Sequence, residues 1–240
     1  MVQRLFATHT FRHAAAGCIL TNLASSGIAQ FAASYFVRGW GLNYLTVGLL
    51  YGLVTGAAGT VGMLAGGFAT DAAGQRDARW RMWLPAIGAA LALPLFATAY
   101  TRTNPFLAAG FILIGGVCYS LYFAPTFALA QNLVEQRMRG TASALMYLLI
   151  NVFGGGLGPW ALGMVSDALA HRAFPFGDFA AMCPGGVAPH GSAQALALAC
   201  RHASASGLQQ AILISTVFFG WGAIHFLLAS RTIRRDLGQV

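Results

Sequence analysis

The chain has 240 residues, of which 57% are hydrophobic and only 8% charged, with a mean hydropathy of +0.64. A soluble domain carries about 25% charged residues, so this composition excludes one and points to an all-α membrane protein. The net charge of +8 comes entirely from arginines in short stretches between apolar runs, which excludes a nucleic-acid surface and fits the bias that keeps loops cytoplasmic.

Residues 1–13 form a short basic lead. His9 and His13 are four apart and share a helix face, but without further ligands nearby they read as interfacial residues rather than a metal site. No secretory signal is evident, because the run after Arg4 and Arg12 has no convincing cleavage site and another span follows it at once. The first span is predicted over 14–37, and its polarity is periodic. Asn22, Ser26, Gln30 and Ser34 recur every four residues, which places them on one slowly drifting helix face. Polar side chains in lipid need a partner or water, so this face is expected to line a substrate pathway inside the bundle; hydrogen bonding to a neighbouring helix is the alternative.

The second span is predicted over 44–70. Gly48, Gly52 and Gly56 repeat at four, and Gly62 and Gly66 extend the pattern, allowing another backbone to approach closely. It ends in Gly67-Phe-Ala-Thr-Asp71-Ala-Ala-Gly74-Gln-Arg76, after which Asp77, Arg79 and Arg81 follow. Gly67 is read as a site of close helix approach, Gly74 as a turn, and Asp71 as a partner for the positive N-terminal end of another helix. The third span, 83–100, contains Pro94. The fourth, 105–131, carries Tyr119, Tyr122 and Thr126 on one face beside Pro125. Those tyrosines suit an amphipathic ligand or an interhelical hydrogen bond equally well.

The fifth span is predicted over 141–166. Tyr147 and Asn151 share a face, and the run Gly154-Gly155-Gly156-Leu157-Gly158-Pro159 should bend or loosen the helix. The run is no dinucleotide fingerprint, since Pro159 stands where the third glycine belongs and no strand precedes it. Residues 167–206 read as the one long loop, with a short helix over 193–204, before the sixth span at 207–229, which contains His225. Cys18 and Cys118 fall in apolar runs and read as small core residues. Cys183 and Cys200 share the long loop and are candidates for a disulfide if that loop faces an oxidising compartment.

Six spans put both termini on one side. That side holds ten arginines, at 4, 12, 76, 79, 81, 137, 139, 231, 234 and 235, against four on the other, at 38, 102, 172 and 201. The imbalance assigns both termini to the cytoplasm. Gly163-Met-Val-Ser-Asp167, at the end of span five, repeats the spacing of Gly67 to Asp71 at the end of span two. The two ends emerge on opposite sides, as a three-plus-three inverted repeat requires.

The loop from Gly67 to Arg76 resembles the cytoplasmic loop motif of the major facilitator superfamily of secondary transporters. Met138-Arg-Gly-Thr-Ala-Ser-Ala-Leu-Met146, Asn151, Gly158-Pro159 and Gly163 to Asp167 resemble helices ten and eleven of a twelve-span member. The lead Arg4-Leu-Phe to Thr10-Phe-Arg-His13 and the glycine-rich second span are similar to the bacterial spinster-like branch. The resemblance implies half of the facilitator fold, helices seven to twelve, in a bacterial inner membrane. It also implies a gating role for Gly67, Asp71, Gly74, Arg76, Gly163 and Asp167, and amphipathic or lipid-like solutes. Members join two such bundles around a cavity, and this chain starts where the second begins. Its expected partners are therefore membrane lipids, a small-molecule substrate and either the missing N-terminal half or a second copy of itself. No cofactor, nucleic acid or metal is expected. No span contains Asp, Glu or Arg, and His225, on a helix that normally faces lipid, reads as packing or interfacial. The alternatives to a half that transports with its partner are a self-sufficient homodimer and a non-transporting truncated product. An enzyme is disfavoured by the lack of Gly-x-Ser-x-Gly, His-Glu-x-x-His and paired intramembrane carboxylates.

Overall fold

The computed structural model describes residues 2–238, apart from the Arg4 side chain. Among the described residues all regular structure is helical. A lead helix α1 (Val2–Ala7) precedes α2 (His9–Trp40), α3 (Tyr44–Gly74) and α4 (Trp80–Thr101). Then come α5 (Pro105–Ser120), α6 (Phe123–Asn132), a 3₁₀ turn (Gln136–Met138), α7 (Arg139–Leu149), a π segment (Ile150–Gly156) and α8 (Leu157–Ala173). A short α9 (Phe179–Met182) and a 3₁₀ turn (Pro184–Gly186) lead into α10 (Gln194–Asp236).

These make six long segments in two triplets, with α5–α6 acting as one and α7–π–α8 as another. Five are long and apolar enough to cross a membrane. The one outside that set is α2, which has the length at 32 residues but whose polar stripe dilutes its hydropathy.

The expected fourth span is two helices. Pro125 has no N–H to donate to the Leu121 carbonyl, and the helix is interrupted between Ser120 and Phe123. Gly66 of α3 lies directly against the freed carbonyl, where any Cβ would clash with it. Pro159 acts the same way on the fifth span. It leaves the Gly155 carbonyl without its helical donor, and residues 150–156 widen into the π segment. In α4, by contrast, the helix continues through both Pro85 and Pro94. The expected separate helix over 193–204 is a correction: α10 is one helix of 43 residues. Nothing in Gln194–Ser206 breaks a helix, and Cys200 and Ala203 are buried, so the apolar face continues into the span.

The core falls into three parts. At the end carrying the termini, Phe11, Cys18, Met82, Tyr122, Met146 and Phe226 pack together. Towards the opposite end, Ile28, Phe36, Phe96, Tyr100, Leu208 and Phe219 form a second cluster. A third, small cluster of Phe174, Phe179, Cys183 and Cys200 sits under the loop between α8 and α10.

Candidate functional site

The polar stripe of α2 divides between two jobs. Ser26 donates to the Gly154 carbonyl at 3.0 Å, and Asn22 lies against Gly154, leaving no room for a Cβ there. Gly158 likewise approaches the Leu23 carbonyl and Ser26 too closely for any side chain. These residues join α2 to the π segment and α8, the second of the two roles open from sequence. Gln30 is exposed and Ser34 half-buried, so the stripe reaches a free surface only further along.

The aromatic candidates also separate. Tyr147 is 59% exposed, and on the same exposed face Asn151 donates to the Tyr147 carbonyl at 2.8 Å. Tyr122 has no exposed surface, and its hydroxyl is buried without a hydrogen-bond partner. It stacks on Phe123 at 4.4 Å, inside the core. Tyr119 is half-buried and lines a small cavity with Ser25, Tyr51 and Thr55. Periodicity reading missed those three. Ser25 stands one residue off the stripe, though Tyr51 and Thr55, four apart on an otherwise apolar helix, were a visible signal.

The loop motif looks different in space. Helix α3 runs on through Gly74, and Gly74 is not among the glycines with positive φ. The expected turn glycine is thus an ordinary helical residue, with the Arg81 stem 3.5 Å from where its Cβ would be. Gly67 is not a close-approach site either, since its nearest neighbour, Ala124 Cβ, would be at 3.6 Å. The tight positions are Gly62 and Gly66, where a Cβ would come within 2.5 Å of the Val117 and Leu121 carbonyls. Helix α3 meets α5 and Leu121 at those points, and one residue further along a helix of 3.6 residues per turn the face is already rotated away. Asp71 occupies the last turn of α3 and is exposed. Among the described residues neither the Asp71 nor the Arg76 side chain has a hydrogen bond or ion pair within the chain, the Arg76 N–H donating to the Ala73 carbonyl at 3.0 Å.

The acid that holds the loop is Asp77. It accepts from the Arg79 N–H at 2.9 Å and from Arg234 in α10 through two contacts at 3.1 and 2.7 Å. The Arg79 N–H and then the Arg234 guanidinium hold its carboxyl below the usual range. A second acid closes the same end. Asp236 accepts from the Thr10 N–H at 3.1 Å and from the Thr10 hydroxyl at 2.7 Å. It therefore does at the start of α2 what an N-cap side chain does, from the other end of the chain.

At the opposite end, Gly163 faces the Phe31 ring, and the exposed Asp167 lines a cavity of about 680 Å³ with Arg38 and His171. Its roof is the loop between α8 and α10. Arg38 donates to the Gly185 carbonyl at 3.2 Å and to the Ser204 hydroxyl at 2.7 Å. Cys183 and Cys200 are joined by a disulfide, which ties the roof to α10. The helix pair α2–α10 also carries a contact between His13 and His225, Nδ1 to Nδ1 at 3.1 Å. Among the described residues no group of three or more His, Cys, Asp or Glu could hold a metal.

Comparison with known proteins places this architecture. The profile of the family described as Major Facilitator Superfamily matches residues 2–159. An MFS-type efflux pump of Mycolicibacterium smegmatis (strain ATCC 700084 / mc(2)155) is 34% identical over 154 residues, which is 64% of this chain and 36% of the pump. The crystal structure of a bacterial homolog to the human lysosomal transporter Spinster, inward-facing and unoccupied, superposes with a TM-score of 0.81. It is 25% identical and aligns with 98% of this chain, and with 50% of its own. The inward-facing, occupied structure gives 0.82 at 24% identity, over 96% of this chain and again 50% of its own. The chain therefore spans half the length of these solved structures, and about a third of the pump.

Proposed function

The chain belongs to the Major Facilitator Superfamily, and we propose that it forms the C-terminal six-helix half of a secondary transporter that moves a small amphipathic or lipid-like solute by alternating access. The observation that carries this reading is the superposition of nearly the whole chain on half of a transporter. The exposed residues Gln30, Tyr147 and Asn151 are the wall this half presents to the cavity. They are uncharged, which suits a solute recognised by hydrogen bonds and apolar contact. On this reading the chain sits in a bacterial inner membrane with both termini in the cytoplasm, following the arginine imbalance.

The partner is an N-terminal six-helix half. A second copy of this chain is the other reading, and a non-transporting product is the third. Asp71 is the gating residue in the first two. An acid in the last turn of a helix is disfavoured by its own dipole, and favoured against the N-terminal end of a helix running the other way. In a homodimer that end lies near Thr141 of the second copy. A contact of this kind contributes roughly 0.3–1 kcal/mol when exposed and up to ~2 when partly buried, enough to bias a gate and too little to hold a fold.

The test is the mass of the complex extracted from native membranes, combined with a crosslink from Asp71→Cys. A single crosslinked product with a six-helix polypeptide, which transports a solute when reconstituted, is the expected result. A crosslink to a second copy with robust uptake supports the homodimer. A monomer without crosslink or uptake overturns both transport readings.

A further inference from the structure

The cavity beside Tyr119 is a slot between α2, α3, α4 and α5, lined by Ser25, Ile28, Tyr51, Thr55, Phe96 and Tyr119, with a volume of about 110 Å³. From this geometry we infer that the slot takes the apolar end of the transported solute, one ring or a short branched chain in size, and orients it through the Tyr51 hydroxyl. The inference rests on the transport reading and adds the chemistry of the group that is bound.

The slot lies between two points at which α3 is held. Towards the loop end, Tyr51 packs edge-on against Phe36, ring centroids 5.6 Å apart. Towards the other end, Gly116 meets Ala58 so closely that its Cβ would lie 2.7 Å away. Between these points α2 and α3 stand apart, and the gap is bounded by the rings of Phe96 and Tyr119, whose centroids are 6.1 Å apart. At its rim is the exposed Ala29, adjacent to the exposed Gln30. The slot thus opens on the α2 surface assigned to the pathway.

Its chemistry follows from the lining. Among the described residues no Asp, Glu, Lys, Arg or His borders it, so a charged group entering would be desolvated without a partner. The small hydroxyls are already engaged. Thr55 donates to the Tyr51 carbonyl at 2.7 Å, and Ser25 to the Asn22 carbonyl at 3.2 Å. Tyr51 differs: among the described residues its hydroxyl donates no hydrogen bond within the chain. A group suited to the slot is therefore apolar and uncharged, with one acceptor such as a carbonyl, ether or hydroxyl oxygen for Tyr51. The space is of the order that admits one ring, since an apolar cavity of ~150 Å³ holds benzene.

The test uses the full chain with its two free cysteines, Cys18 and Cys118, changed to alanine and a single probe, Ser25→Cys. Three methanethiosulfonates are compared: benzyl (neutral), trimethylammonioethyl (cationic) and sulfonatoethyl (anionic). Each rate is normalised to that of a cysteine replacing the exposed loop residue His190. The neutral reagent should react with saturation kinetics and outpace both charged ones by at least about tenfold, because a charge cannot be left unpaired in the slot. Ala29→Trp should abolish the advantage. Benzyl alcohol should protect the thiol where benzoate and benzylammonium do not, a readout that needs no second substitution. Equal normalised rates, or a neutral reagent that neither saturates nor is displaced by benzyl alcohol, would overturn the slot. Because the measurement needs no partner, saturable protection in a chain that assembles with nothing leaves the slot standing and removes the transport reading. A transporting complex whose Ser25→Cys shows no preference removes the slot alone.

Discussion

Three acids at one end of the bundle show how position decides the use of identical chemistry. Asp77 and Asp236 both bind their own chain, and the Asp71 side chain, six residues before Asp77, binds none of the described residues. The use of Asp236 is measurable. Burial pushes its carboxyl up, but the two bonds from Thr10 and the Arg235 guanidinium outweigh that and hold it below the usual carboxylate range. A depressed folded-state value means a contribution present above the unfolded value and lost as pH falls through the folded one. Asp236→Asn keeps an accepting oxygen but removes the charge, and is therefore expected to cost about 0.3–1 kcal/mol, the range for an anion at a helix N-terminus, at neutral pH. The difference from the parent should shrink as pH falls through the parent's lowered folded-state value and vanish once its own carboxyl is protonated. Chemical denaturation in detergent across that pH range checks both the size and the sign.

At the scale of helices, glycine and proline divide the labour. The glycines of α3 look like one repeat in the sequence, but they separate in space. Gly62 and Gly66 meet α5 and Leu121, whereas Gly48, Gly52 and Gly56 have nothing within 4 Å of a would-be Cβ. Gly62→Ala should lower the thermal midpoint, since overpacking costs about 1–3 kcal/mol. Gly52→Ala should leave it unchanged or raise it, because alanine is the better helix former by about 1 kcal/mol. Equal effects of the two in a thermal unfolding assay would mean that the close packing of α3 on α5 is misplaced. The repeat in the sequence announced close approach, and two of its five glycines are used inside this chain. The other three lie on an open face of α3. Pro125 and Pro159 are the complementary device. Each strips one carbonyl of its donor, so their effects on α5–α6 and on the π segment were readable from the residues. Pro94 is identical chemistry within an unbroken helix, and only its neighbours decide that.

For the whole molecule, the arrangement of charge is the guide. Arginines crowd the end where the termini and the Asp77–Arg234 clamp lie, and the disulfide closes the opposite end. Single cysteines replacing Arg76 and His190, both exposed, should label from opposite sides of the membrane, with His190 outside. In the same preparation, alkylation without reduction should leave Cys183 and Cys200 unmodified. Closing a loop with a sequence separation of 17 is worth ~3 kcal/mol in the chain-entropy model, so reduction should loosen the roof before it unfolds the bundle. Labelling of both positions from one side would remove the six-span topology.

The sequence alone determined the six-helix class and the weak point at Gly154–Pro159. Each of these is a local signal: apolar length against membrane thickness, or a missing N–H. Tertiary structure alone decided which members of a periodic set meet a partner. Asn22, Ser26, Gln30 and Ser34 are equivalent by spacing, yet the first two are spent on α8 and the π segment, and the surface begins at Gln30. Tyr119 and Tyr122 are three residues apart, and one lines a slot while the other is sealed in the core. Periodicity gives the direction of a side chain about its own helix axis. What stands in that direction depends on where another helix crosses, and those crossings are set by glycine contacts between segments far apart in the chain. That is also why the cap of α2 by Asp236, across 226 positions, had no counterpart in any sequence window.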